Sequence, residues 1–479
     1  MTGRLSPKRT LARVAHFAYG GAIAGLASLV NAAHAAGGSN DSLTWFGITL
    51  YGIVDVGYTY QNRGVPLNDY YPAGLQYVIQ RSNNRSTSSM SENALSQSKI
   101  GLRGDHELFE GWSGSFGLET GINPLSGHIS DGLKSITQNN GVPLANRTAL
   151  GDSSRAGQLF QGAAYAGVGS PLYGRITVGR QDGLFGNNVR RYDLLNSSNA
   201  FSVYTGGARG LGDTENARLD NSIEYVNQVG RCRVGAQLQP GGRAASGGRA
   251  AEFILGWDFR HGLSVDASYA SKKGAIQAAP LDVPVAKCPT ASALGGASSA
   301  VNCLPPGISP HNAVAATVSD NWTWSLGASY LYEHVDVRMG YENIHARNPQ
   351  TALAAGSQDI GGYILGFVDN DAYPNGAKIL QITWLGAKYS FSESFDLVGA
   401  WYHYNQNKYN FSAKCPGGTK DAPACSGRLD AYSFVADYRF NQHFDAYTGF
   451  MWSHVADGLA AGYLNTWTID PTIGVRFKF

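Results

Sequence analysis

From about residue 44 to Phe479 the chain repeats one pattern: apolar residues alternate with polar or small ones at period two, in runs separated by connections that are short, then long. A period of two is the signature of a β-strand with two unlike faces. Trp322, Trp324, Leu326, Ala328, Tyr330 and Tyr332 alternate with Thr323, Ser325, Gly327, Ser329 and Glu333. Phe253, Leu255, Trp257 and Phe259 alternate with Glu252, Gly256, Asp258 and Arg260. Tyr432, Phe434, Ala436, Tyr438 and Phe440 alternate with Ser433, Asp437 and Arg439. Short connections fall near 106–112, 170–174, 229–231, 260–262, 333–335, 391–394 and 441–443; long polar ones fall near 61–96, 123–155, 183–218, 241–250, 273–318, 346–376, 407–427 and 456–466. Seven short turns and eight long loops join sixteen strands. An even count, with short turns at one end and long loops at the other, predicts an all-β fold: a 16-stranded antiparallel transmembrane β-barrel.

A soluble chain of 479 residues would usually divide into two or more domains. A single closed wall escapes that division. Aromatic residues at 11% and a formal net charge of only +2 argue against disorder, and the absence of a basic excess argues against nucleic acid as a partner. Glycine, at 61 residues, is nearly twice its usual ~7% share. The face assignment follows from the solvent. Lipid outside a barrel of this size and water inside place the apolar face outward and the Gly, Ser, Asp, Arg and Glu face toward the lumen. A soluble β-sandwich would reverse the two faces, and alternation alone does not separate the readings; strand number, loop asymmetry and the C-terminus favour the barrel.

The first 35 residues read as an export signal. Arg4, Lys8, Arg9 and Arg13 form a basic start, Val14 to Val30 an apolar stretch, and Ala33-His34-Ala35 a small-x-small cleavage site. Cleavage there would remove four basic and no acidic residues, turning the formal charge from +2 to −2 and leaving 36–479 as one barrel domain. Export also permits loop disulfides, and Cys288 with Cys303, and Cys415 with Cys425, each share one polar segment. Cys232 lies in an apolar-facing strand run as a free thiol. Motifs for a serine nucleophile, a P-loop or a zinc protease are missing; His106-Glu107 is followed by Glu110 rather than by a suitably spaced histidine, and Asp369-Asn370-Asp371 starts a calcium-like loop without its later glutamate. No catalytic residue, metal or cofactor is expected.

Six segments, in order, resemble the general porin family of Gram-negative bacteria in its β-proteobacterial branch: Thr49–Asp55, Ser98–Gly104, Phe116–Gly121, Thr177–Gln181, Leu219–Tyr225 and the closing Val475–Phe479. The resemblance implies a homotrimer of water-filled barrels in the outer membrane, in contact with lipid and lipopolysaccharide, passing small hydrophilic solutes and ions. Its third extracellular loop folds inward and narrows the pore. Carried over, 183–218 becomes the constriction loop, bearing Arg190, Arg191, Asp193, Arg209, Asp213 and Glu215. Lys99, Arg103, Glu119, Arg180 and Glu224 become residues of the facing wall, and the terminal Phe479 becomes the signal read by the barrel-assembly machinery. Strict alternation from Ile176 and Val178 would point Arg180 outward, so its inward placement requires a bulge or a strand end there. Glu224 stands where the family often has a basic residue. A substrate-specific channel of the same architecture is the alternative; a barrel enzyme and a secreted lectin are more distant ones.

Overall fold

Sixteen strands, each hydrogen-bonded to its sequence neighbours, form one wall, and the last strand pairs with the first. The computed structural model describes residues 43–63, 86–127, 129, 159–203, 212–213, 218–241, 248–279, 286–287, 303–304, 313–356, 358–360, 363–409, 425–460 and 465–479. The segment 1–35, expected from its sequence to be an export signal, lies outside them. The wall begins with β1 (Ile48–Gln61), β2 in two pieces (Thr87–Glu92 and Lys99–Phe109), β3 (Trp112–Gly121), β4 (Ala163–Ser170) and β5 (Gly174–Asp182). A helix, α1 (Leu184–Arg191), follows. The wall resumes with β6 (Arg218–Val229), β7 (Cys232–Gln239), β8 (Ala250–Asp258), β9 (Leu263–Ala279), β10 (Ala313–Tyr332) and β11 (Val335–Arg347). It ends with β12 (Lys378–Ser392), β13 (Phe395–Gln406), β14 (Gly427–Arg439), β15 (Phe444–Asp457) and β16 (Thr472–Lys478). Successive strands are antiparallel throughout. Closure runs from Ile53 opposite Lys478 to Thr59 opposite Thr472. It is completed by the Gly52 and Phe479 amides, which exchange hydrogen bonds of 2.9 and 3.1 Å. Closure removes the unpaired edges that an open sheet would present to lipid.

The short connections are tight. Glu110–Gly111, Arg231 after Gly230, and Glu333–His334 each turn the chain in two residues. Gly230 takes φ +60°, the left-handed conformation that a two-residue hairpin demands. The outer face carries the apolar set, with Leu102, Val178, Ile223, Phe253, Leu326, Met339, Leu385 and Phe434 all exposed. A continuous band of exposed apolar side chains belongs in lipid rather than in water. The inner face of β6 to β10 carries Ser222, Gln237, Asp266, Thr323 and Ser325, as expected.

Several boundaries differ from the sequence reading. The loop expected at 273–318 is shorter, because β9 runs on to Ala279 and β10 begins at Ala313. These extensions pair Ala275 with Ser319 through Ala279 with Ala315. They form a small second core of Ile276, Val314, Ala316, Val318, Leu365 and Val368, the last two from a hairpin in the following long loop. β10 has 20 residues, far more than the ~9–11 that cross a bilayer. The turn expected near 106–112 contracts to Glu110–Gly111 because β2 continues to Phe109.

A larger correction concerns the lumen. On β11 to β15 the inward face carries an apolar patch: Ile344, Ile382, Trp384, Val398, Tyr402, Leu429, Val435 and Met451 are buried inside the barrel, on the same face as buried Asp336, Glu342, Asp396 and Asp445. The apolar patch is covered by Val189, Tyr192, Leu195, Phe201 and Val203 of the segment that follows β5. Strands with both faces covered lose their alternation and read as mixed apolar runs.

Candidate functional site: the constriction

The loop after β5 begins at a bulge. The β5–β6 register shifts between Gly179 and Gln181, and Gly179 takes φ +137° with its α-carbon so close to β4 that an added Cβ would lie 2.2 Å from the Ala164 carbonyl oxygen. The chain then leaves the wall at Asp182 and enters α1. Gly183 offers the helix no side-chain cap. The wall supplies one instead: the Leu184 amide donates to Gln237 Oε1 at 2.9 Å and the Phe185 amide to Glu252 Oε2 at 2.8 Å. These two residues satisfy amides that a helix start leaves without partners, and the Glu252 carboxylate faces the positive end of the helix dipole.

Beyond α1 the loop is fastened to the opposite wall by hydrogen bonds spread along an apolar interface. Trp384 Nε1 donates to the Tyr192 carbonyl at 2.9 Å, the Tyr404 hydroxyl to the Val203 carbonyl, and the Ser433 hydroxyl to the Phe201 carbonyl at 2.6 Å. Asp193, buried, accepts four bonds: from the Leu195 amide (3.1 Å), the Ser197 amide (2.8 Å), the Ser202 hydroxyl (3.0 Å) and the Tyr402 hydroxyl (2.8 Å). Burial pushes its carboxyl above the ordinary aspartate range, against the pull of those donors.

The near wall is charged. Lys99 Nζ lies 2.7 Å from Glu119 Oε2, and the Tyr51 hydroxyl donates to the same oxygen at 3.0 Å. The Arg103 guanidinium stands 5.4 Å from the Tyr51 ring centre, exposed to the lumen. Lys99 and Glu119 share one cavity with Arg190 of α1, with Asn196 and Asn199 of the loop, and with Asp182 and Arg218 at the loop's two ends. Asp182 lies 3.6 Å from Arg190 and 3.3 Å from Arg218. One cavity is therefore lined both by a Lys–Glu pair from β2 and β3 and by an Arg–Asp–Arg group formed by α1 and the strand ends that bound the loop.

Residues 21–458 match the family model described as Gram-negative porin. The chain belongs to that family. This porin is 28% identical, over 206 residues, to an outer membrane porin protein of Bordetella pertussis; the aligned stretch is 41% of this chain and 43% of that relative, so the match spans less than half of the relative's length. Among solved structures, the anion-selective porin from Comamonas acidovorans superposes with a TM-score of 0.55 at 16% identity, covering 90% of this chain and 99% of the other. OmpT, an outer membrane protein of Vibrio cholerae, superposes with a TM-score of 0.52 at 11% identity, covering 92% and 100%. At such identities the likeness is one of fold. Family and fold place this porin in the outer membrane.

Of the wall residues expected from sequence, Lys99 and Glu119 line the cavity beside the α1 loop, with Arg103 near them across Tyr51. Arg180 does not join them. The required bulge is present, yet Arg180 is buried, donating to the Gln161 carbonyl through Nε (2.9 Å) and Nη2 (2.7 Å) and to Asp220 through Nη1 (2.6 Å). It is a paired structural cation. Glu224 lies half-buried on β6, paired in register with Thr177 and Gln237, and does not line the cavity.

Of the loop residues, Arg190 lines the cavity, whereas Arg191 turns away to stand 3.8 Å from Asp258 near the short-turn end. Asp193 is the buried anchor described above. Asp213 is also buried; it pairs with Lys272 of β9 at 2.7 Å and accepts the Ile276 amide at 3.1 Å, tying the returning limb to the wall. Arg209 and Glu215 lie outside the described residues. Phe479 packs its ring against the Gly52 backbone. Cys425 is disulfide-bonded and Cys232 is a free thiol. Cys288, Cys415 and the Cys303 side chain lie outside the described set.

Sequence reasoning missed Asp182 and Arg218, though both were legible as charges immediately bounding the loop. It also missed Leu95, Ser96 and Gln97, which line the same cavity; no local signal marks them, because 61–96 reads as one long polar loop.

Proposed function

We propose that this porin forms a water-filled channel for passive diffusion of small hydrophilic solutes and ions across the outer membrane. The observation that carries the reading is the charged cavity inside a closed barrel, with Lys99 and Glu119 on the wall and Arg190, Asp182 and Arg218 on the loop side. Opposed fixed charges across a narrow lumen orient water. An apolar solute entering must disturb that water and gains no contact in return, whereas a polar one exchanges hydrogen bonds with it. Charges lining the passage bias which ions enter. Four cations (Lys99, Arg103, Arg190, Arg218) stand against two carboxylates (Glu119, Asp182), which supports a preference for anions, the property for which the Comamonas porin is described.

The same reading takes residues 1–35 as the cleaved export signal, Phe479 as the assembly signal and three barrels as the functional unit; family membership supports each. Channel activity, rather than hydrolysis, is the activity proposed. The test is single-channel recording of the purified porin in a planar bilayer. Stepwise conductance in groups of three, with flux limited by solute size, is expected. A protein that folds and inserts but never conducts overturns the reading.

A further inference from the structure

β1 and β2 do not keep a constant register. Ile53 faces Lys99 and Val56 faces Glu92, so three steps along β1 answer seven along β2. Four residues are therefore extruded from the wall, and they leave on its inner side. Ala94 is fully buried in the packing under the loop, and Leu95, Ser96 and Gln97 line the cavity that holds Lys99, Glu119 and Arg190.

The extrusion is held in place at every polar position. Asn93 adopts φ +58° and its side-chain oxygen accepts the Ser98 amide at 2.7 Å, closing the insert at its base. Asp55, across on β1, accepts the Leu95 amide (3.0 Å), the Ser96 amide (2.6 Å) and the Tyr447 hydroxyl (2.5 Å). Arg476 Nη1 donates to the Ser96 hydroxyl at 2.6 Å. The constriction loop is fastened to the same insert: the Ala200 amide donates to the Ala94 carbonyl at 2.9 Å and Asn199 Nδ2 to the Asn93 carbonyl at 2.8 Å. An insert satisfied in this way is a built feature, in keeping with the placement of bulges next to functional sites.

We propose that the 93–98 insert is the second lip of the constriction and that Gln97 is a selectivity-determining position. This rests on the channel reading above. The eyelet then has three sides: the Lys99–Glu119 wall, the α1 loop and the insert. Gln97 contributes an uncharged amide to the same cavity as the two charged groups, its Nε2 donating to the Ser98 carbonyl at 3.2 Å, so the insert lines the passage without adding to its field. A charge installed there acts on each passing ion within a few ångströms, where even water-screened unit charges interact by about 1 kcal/mol.

The experiment uses full-length Gln97→Glu and Gln97→Lys porin in planar bilayers under a KCl gradient. The chloride-to-potassium permeability ratio falls with the acid and rises with the base, each by about two- to five-fold. Should either variant fail to fold, Gln97→Cys in a Cys232→Ser background gives the same information: a cationic thiol-reactive reagent reduces the current, and the Cys232→Ser parent is unaffected. Open channels whose permeability ratio is the same for the acid, the amide and the base, or a Gln97→Cys current untouched by the reagent, overturn the proposal. A wild-type protein that does not conduct overturns the channel reading instead.

Discussion

The Tyr402 hydroxyl donates to Asp193 across 2.8 Å, joining the loop that leaves β5 to a strand 209 residues further along the chain. Both residues are buried, so the bond is made without competition from water, and its loss takes a hydroxyl donor from a buried carboxyl that keeps the Leu195 amide on the same oxygen. Tyr402→Phe is expected to lower stability by about 1–3 kcal/mol and to increase current noise as the loop loosens. Denaturant unfolding in detergent reads the first effect and single-channel recording the second; a quiet, equally stable Tyr402→Phe channel would refute the anchor.

Asp193 also makes stability depend on pH. Burial raises its carboxyl in the folded state above the ~3.9 of an unfolded aspartate. A raised acid contributes stability that is complete below its unfolded value and is lost as pH rises through its folded value. Asp193→Asn abolishes this dependence. The stability gap between wild type and Asp193→Asn is therefore expected to narrow from pH 4 to pH 8, as measured by urea unfolding. A gap that widens would mean that the four donors outweigh burial.

Charge at the constriction sets ion preference. Lys99→Glu and Arg190→Glu each reverse one lining cation and are expected to shift reversal potential toward cations, while Glu119→Gln shifts it toward anions. Arg180→Gln, at a paired site away from the cavity lining, should leave reversal potential unchanged in any channel that folds. Equal shifts at Arg180 and Lys99 would contradict the placement of these residues.

The Lys272–Asp213 pair is buried on both sides. Lys272→Met removes the Lys272 cation from this buried carboxylate and is expected to cost about 3–5 kcal/mol, whereas the double variant Lys272→Met with Asp213→Asn recovers most of that loss. A thermodynamic cycle over the four proteins measures the coupling; additive effects would show that the two groups do not act as a pair.

The wall was legible in the sequence because strand alternation and connection length are local properties. Sixteen strands, the order of short and long connections and the outward face of β8, β10 and β14 follow from residue spacing alone. The inner face of β12 to β15 did not, since alternation assumes water on one side and Trp384, Tyr402 and Met451 meet the loop instead. Arg103 and Arg180 show the same limit at single residues. Both occupy strand positions matching the family pattern, yet one stands open to the lumen and the other is neutralised by Asp220, a residue 40 positions away. The extrusion at 93–98 depends on register between two strands, which neither strand's own sequence states.

The dry packing beneath the loop has a consequence for the order of construction. The groups that seat it (Trp384, Tyr402, Ser433 and, through Asp55 and the insert, Tyr447) come from β12 to β15, the last third of the chain. Until those strands are in place, Phe201 and its neighbours have no surface to lie on. The narrowed passage therefore depends on those strands being in the wall. The eyelet is the record of a finished barrel.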